Sequence, residues 1–240
     1  MEISDFIENL INPASHVDSL ADSGAGLGSR EGTDEKDQQA LTRAWVNERG
    51  TVGLLPPQDA LISRCSTRIR AQIEMIERMT GDMDPKTNFS LIIIQTDVER
   101  WKFLIRSYLR ARLAKVDKYT LYYLSSPQLQ TRLSKNEMAY ATRHQQLLHN
   151  HYLNCFLGSF PANLQNLNDA VGGISMVEGP DEDSGVFVRG LGGRNGEDSV
   201  VVMGRGRDAD GEVEVTRGEV VVAKWSDVRE FIEREEMELV

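Results

Sequence analysis

Apolar residues recur at helical spacing over residues 2–11 and from Thr33 to about Gly158, and short β-branched runs replace them afterwards. Residues 2–11 place Ile3, Phe6, Ile7 and Leu10 on one helical face, with Glu2, Asp5 and Glu8 between them. Residues 12–32 are rich in Gly, Ser and Asp, have no period, and read as a flexible tether. Thr33 is placed to cap a first helix, with Asp34, Glu35 and Asp37 complementing its dipole and Gly50 ending it. Pro56-Pro57 breaks the chain before a second helix over Gln58–Thr80. A third begins near Asn88 and meets no Gly or Pro before about Leu124. Its apolar stripe is Leu91, Ile94, Val98, Trp101, Ile105, Tyr108 or Leu109, Leu113 and Val116. Ser134 and Glu137 form a capping-box pair that opens a fourth helix reaching Leu157.

Residues 159–184 contain breakers without sustained period and read as a linker. Then VFV, SVVVM, EVEV, EVVVAKW and MELV are β-branched runs between Gly and Asp turns, with one helix, SDVREFIERE, capped by Ser226. The expected core of this small β domain is Val186, Phe187, Val188, Trp225 and Leu239. The fold class is therefore mainly α with a small C-terminal β domain (α+β): a helical bundle with one overlong helix, then a β-rich domain containing one helix. The expected divisions are a short amphipathic peptide (1–11), a tether (12–32), a helical domain (33–158), a linker (159–184) and a β domain (185–240).

The third helix constrains the assembly. Residues 91–118 alone span about 42 Å as a helix, whereas a compact domain of this region's size has a radius of gyration of about 14 Å. Such a helix projects beyond its own domain and needs cover from another chain. Phe103, Leu104 and Leu109 widen its apolar arc, as burial on two sides would require. An obligate complex is the expectation.

Among 240 residues the net charge is −10, but its distribution is uneven. Residues 1–59 hold 4 bases and 11 acids, residues 60–150 hold 15 and 8, and residues 151–240 hold 8 and 18. A basic middle between acidic ends points to separate surfaces for separate partners. No apolar run approaches the roughly 18 residues of a membrane span. MEISDFIENL carries acids where a signal peptide carries bases, and two cysteines, Cys65 and Cys155, do not make a disulfide framework. A soluble intracellular protein is expected.

Candidate chemistry is sparse. His151 and Cys155 share a helical face at metal-ligand spacing, but His149 points elsewhere and no CxxC or HExxH accompanies them. Helix-surface histidines are the expectation, with no metal and no cofactor. GLGGRNG (190–196) has Asn195 where a dinucleotide fingerprint needs its third glycine, and reads as a hairpin connection. Asp208-x-Asp210-Gly211 lacks the later ligands of a calcium loop and reads as a turn. With no Walker motif, nucleophile elbow or Cys–His setting, the chain is not expected to be an enzyme. Arg100, Arg106, Arg110, Arg112, Lys115 and Lys118 make the long helix basic, either as a flank paired to neighbouring carboxylates or as a phosphate-contacting face.

Four stretches carry a resemblance: AWVNERGTVGLLP (44–56), TDVERWKFLIRSYLRARLAKVDKY (96–119), RLSKNEMAYATRH (132–144) and DSGVFVR (183–189). Their order is similar to the SLD-five family of GINS subunits, over residues 41–189 and more loosely over the β segment. The resemblance implies a helical domain followed by a β domain, and assembly with three PSF-type siblings into a tetramer. It implies a nuclear, non-enzymatic scaffold that joins the MCM hexamer and the Cdc-forty-five factor in the replicative helicase. At the subunit interface it implies Trp101, Ile105, Tyr108, Leu109, Arg110, Arg112 and Leu113, with the arginines held by interhelical carboxylates. It also implies that Ile3, Asp5, Phe6, Ile7 and Leu10 dock on a trimeric replisome hub. DNA contact would be without sequence specificity, and no membrane is involved. The alternative is a stand-alone helical nucleic-acid-binding module using the basic 60–150 region.

Overall fold

The computed structural model describes residues 30–80, 85–161, 165, 176–193, 198–203 and 212–240. The 2–11 peptide and the Asp208–Asp210 turn lie outside the described residues. The helices are α1 (Arg30–Gly50), α2 (Asp59–Met79), α3 (Pro85–Lys118), α4 (Thr120–Ser125), α5 (Pro127–Gln130) and α6 (Lys135–Cys155), followed by a 3₁₀ turn at Leu157–Ser159. Helix α1 starts inside the expected tether. Helix α3 is 34 residues long, and Pro85 occupies its first position, where a missing N–H costs nothing. It stops at Lys118 instead of continuing to Leu124. The Thr120 hydroxyl donates to the Val116 carbonyl at 2.6 Å, competing for the acceptor that would carry the helix onward, and Tyr119 leaves helical geometry.

By packing, the chain forms two compact units that cut across the helical and β regions: the chain up to Trp45 with Gln58–Arg110, and Val46–Pro57 with Ala111–Val240. In the first, Leu41 of α1 meets Leu61, Cys65 and Ile69 of α2 and Val98, Trp101, Ile105, Tyr108 and Leu109 of α3. The spacings 61-65-69 and 98-101-105-108 put one face of each helix into this core. Arg64 grips Asp37 through two hydrogen bonds, and the Arg68 guanidinium lies 5.0 Å from the Trp101 ring centre. Burial pushes the Cys65 thiol up to about 11.

In the second unit the turn after α1 holds two adjacent leucines facing different cores. Leu54 packs with Val116, Tyr123, Leu133 and Ala141. Leu55 packs with the β residues Val186, Val188, Trp225, Val228, Met237 and Leu239. The Tyr123 hydroxyl accepts the Leu54 N–H at 2.9 Å, and Arg132 donates to the Leu54 carbonyl at 2.7 Å. Burial raises the Tyr123 phenol to about 12.

Beside this turn, Arg112 is buried with every donor engaged. Its Nε and one terminal nitrogen fork onto Glu137 at 2.7 and 2.9 Å. The other nitrogen reaches Glu48 at 3.0 Å and the Leu55 carbonyl at 2.8 Å, and the Arg132 carbonyl accepts at 2.7 Å. Glu137 also accepts the Ser134 N–H at 2.9 Å, so its capping box opens α6 with a carboxylate that is simultaneously an ion-pair partner. Lys115 binds the second Glu48 oxygen at 2.8 Å, the Thr51 hydroxyl at 2.6 Å, the Gly53 carbonyl at 2.9 Å and the Glu48 carbonyl. Burial holds the Lys115 ammonium below its ordinary range, with Glu48 opposing the shift. Two cations thus face two carboxylates.

The β region contains β1 (Gly185–Gly190), β2 (Ser199–Met203), β3 (Glu212–Thr216), β4 (Val220–Lys224), helix α7 (Trp225–Glu233) and β5 (Met237–Leu239). It forms one sheet in the order β4-β1-β5 and a separate β2-β3 pair, all antiparallel. Three expectations are corrected. The strands on either side of residues 190–196 do not form a hairpin: β1 is flanked by β4 and β5, and β2 pairs with β3 in the other sheet. Ser226 does not cap the helix, because α7 begins one residue earlier and Lys224 takes the cap position. Phe187 is not in the core. Val186 and Val188 point inward, so strand alternation turns Phe187 out to 60 % exposure, whereas Trp225 and Leu239 are buried as expected.

Arg112→Ala would leave two buried carboxylates facing Lys115 alone. A loss of about 3–5 kcal/mol in urea unfolding is expected, against at most about 0.5 kcal/mol for Arg234→Ala at an exposed pair. A second expectation follows from the thiols. Exposed Cys155 should react with a disulfide reagent at pH 8 in seconds, and buried Cys65 only on unfolding. Well below pH 9 the Cys65 thiol is protonated in both states and contributes no pH dependence. Between 9 and 11 the unfolded chain loses that proton first, so stability falls with rising pH. Cys65→Ala should flatten that fall; an unchanged slope would contradict the assignment.

Candidate functional site

The residues expected at an interface divide sharply by burial. Trp101, Ile105, Tyr108 and Leu109 belong to the chain's own first-unit core, and Leu113 and Arg112 are buried in the second unit. Arg110 alone of the seven is exposed. From Val98 to Leu109 the apolar stripe of α3 is covered by Leu41 of α1 and by Leu61, Cys65 and Ile69 of α2 in the same chain. Arg112 is held by carboxylates as expected; among the described residues Arg100, Arg106 and Arg110 have no ion pair.

The surface available to other molecules lies elsewhere on the same helix. Phe89 is 66 % exposed, Ile92 62 %, Ile93 54 % and Phe103 59 %, the Phe103 and Trp45 rings meeting edge to face at 6.1 Å. With Thr96 and Arg100, also exposed, these positions follow one helical face at steps of three and four residues. The signal was present in the sequence: four consecutive apolar residues, Leu91–Ile94, run around most of a helix, so Ile92 and Ile93 cannot share the inward stripe. In the second unit, α6 carries exposed Leu147, and Phe156 and Phe160 follow, exposed, at its end.

The polar clusters have no catalytic arrangement. Cys155 Sγ lies 3.6 Å from His151 Nε2, both exposed, and no group of three metal-ligating side chains occurs among the described residues. His144 Nδ1 is 3.3 Å from the Thr120 hydroxyl oxygen, whose proton goes to the Val116 carbonyl. Tyr140 stacks on that ring and donates to Asp117 at 2.8 Å, which ties α6 to the end of α3. These groups join elements together. The described residues offer exposed apolar surface, and no assembled nucleophile, base and electrophile.

Two family models match the chain: the GINS complex protein helical bundle domain, Sld5, over residues 68–156, and the DNA replication complex GINS protein SLD5 C-terminus over residues 180–240. The DNA replication complex GINS protein SLD5 of Chaetomium globosum is 53 % identical, across 86 % of this chain and 91 % of that protein. The protein of the same name from Yarrowia lipolytica is 39 % identical across 97 % and 84 %, and that from Schizosaccharomyces pombe 43 % across 64 % and 71 %. These likenesses support a role in DNA replication as part of a multi-subunit complex. The helical bundle carries the first family domain and the C-terminal β region the second, and the chain belongs to the Sld5 family of GINS complex subunits.

Proposed function

We propose that this protein is a non-enzymatic scaffold in the nucleus, assembled with three PSF-type siblings into the GINS tetramer. Through that tetramer it serves the replicative helicase with the MCM hexamer and the Cdc-forty-five factor. The observation that carries the reading is the outward apolar face of α3. The first-unit core is complete without Phe89, Ile92 and Ile93, so these side chains are surplus to the fold and gain only by burial against another chain. Fully burying side chains of this size is worth about 1.5–3 kcal/mol each, enough for several of them to drive assembly. Arg100 and Arg110 on the exposed side add charge that selects among partners.

Co-expression with the siblings tests this directly. Wild type should elute as one hetero-tetramer on size-exclusion chromatography, and Ile92→Asp with Ile93→Asp should drop out of it while melting as wild type does. A double variant that assembles normally would remove α3 from the interface. A lone chain that is soluble and monomeric, with no complex on co-expression, would defeat the scaffold reading.

The free arginines favour a second reading, a direct nucleic-acid contact by the 60–150 region. Salt separates the two. Phosphate binding should collapse between 50 and 200 mM salt, by orders of magnitude if several phosphates are contacted, while burial-driven assembly should persist.

Residues 2–11 are proposed as a helix-in-groove peptide for a trimeric hub of the replisome, with Ile3, Phe6, Ile7 and Leu10 as anchors and Asp5 beside them. Burial of Phe6 and Leu10, less the ordering cost of a short helix, gives micromolar affinity as an order of magnitude. Phe6→Ala with Leu10→Ala should leave tetramer assembly intact and abolish hub binding in fluorescence anisotropy. Equal binding by wild-type and variant peptides would end the docking idea.

A further inference from the structure

The edges of the β4-β1-β5 sheet are finished differently. On the β5 side, the Leu239 N–H donates to the Asn47 side-chain oxygen at 2.8 Å, and Gly50 lies so close that a Cβ there would come within 3.2 Å of the Leu239 side chain. A side chain of α1 thus occupies an edge donor, and the end of the helix covers the strand. Among the described residues the β4 side has no such cover.

The ladder shows which β4 groups are open. The Gly190 N–H donates to the Glu219 carbonyl at 3.0 Å, and the Trp225 N–H to the Ser184 carbonyl at 2.9 Å. Those bonds flank a continuous register in which Val188 faces Val221 and Val186 faces Ala223. Antiparallel pairs alternate between hydrogen-bonded and non-bonded, so Val221 and Ala223 direct their main chain toward β1. Val220, Val222 and Lys224 direct theirs outward. Among the described residues no hydrogen bond reaches these outward groups.

Edge strands are ordinarily blunted by proline, a bulge or inward charge. Strand β4 reads VVVAK, its register with β1 has no bulge, and its one charge is Lys224 at the end. The face beside it is apolar as well. Val222 is 65 % exposed opposite Phe187, and Val220 and Val240 are also exposed. Outward N–H and C=O groups at strand spacing are matched in full by one chemistry, another extended main chain.

We propose that the free edge of β4 is a strand-addition site for an extended segment of a partner protein. The incoming strand runs antiparallel, places β-branched or aromatic side chains beside Val220 and Val222, and sets a carboxylate near Lys224, whose contact with Asp183 is long at 3.7 Å. The site is independent of the α3 face, so it stands or falls apart from the tetramer reading.

The test is selection of displayed ten-residue peptides on the full-length chain, with hydrogen exchange on the peptides recovered. Alternating β-branched sequences with one acidic residue should be enriched, and they should slow exchange at Val220 and Val222 at least tenfold. Val222→Pro removes an N–H that no ladder bond uses, so it should weaken binding at least tenfold with β1–β4 pairing retained. If that variant melts early, Val222→Lys on the outward face replaces it. Recovery of no peptide, peptides without alternation, binding unaffected by either variant, or unchanged exchange at Val220 and Val222 would each overturn the proposal.

Discussion

Arg112 has five N–H donors and no acceptor, and its burial is tolerable only because five acceptor contacts converge on it. Those acceptors come from the end of α1, the 51–57 turn, the segment before α6 and the first turn of α6. Each of these has to arrive in place for the charge to be satisfied. The cluster therefore selects an arrangement more than it adds net stability, since an apolar core of equal volume would not distinguish one approach from another. Lys115 completes the balance from the next turn of α3 and fixes Thr51 and Gly53.

That arrangement also seats the β region. The Leu55 carbonyl is bound by Arg112 while the Leu55 side chain enters the β core, and Arg132 joins the Leu54 carbonyl to Glu233 of α7. Farther along, Pro180 lies against Gly53, and Gly179 sits so tightly on Tyr122 that a Cβ would come within 2.9 Å of its ring. The strand residue Leu239 closes onto Asn47 and Gly50. Within this unit the β strands are held by side chains of the helical elements as well as by their own ladder.

Helix positions and strand runs were legible because periodicity reports which face is apolar. Leu61, Cys65 and Ile69 on α2, and Val98 through Val116 on α3, fall inward as their spacing requires. Periodicity does not report what covers the face, so Trp101 and Tyr108 could be assigned to packing but not to packing within the same chain. Alternation, applied strictly, would have turned Phe187 outward between Val186 and Val188. The pairing of Arg112 with Glu48 had no local signal, because the partners are 64 residues apart and a buried Glu reads in sequence like any other acid. The sheet order was equally hidden. Nothing in the 190–196 loop distinguishes a reversal within one sheet from a passage to another.

Adjacent leucines serving opposite cores make the segment from Thr51 to Pro57 a length standard. Main-chain carbonyls at 53, 54 and 55 are each held by a different basic side chain, so the segment has no slack to redistribute. Losing or gaining one residue there would rotate Leu54 and Leu55 into each other's environment and move the carbonyls off their donors. Side chains in this turn could drift by size over evolutionary time, but the count of residues could not, and natural variants of the protein should show substitutions here without gaps.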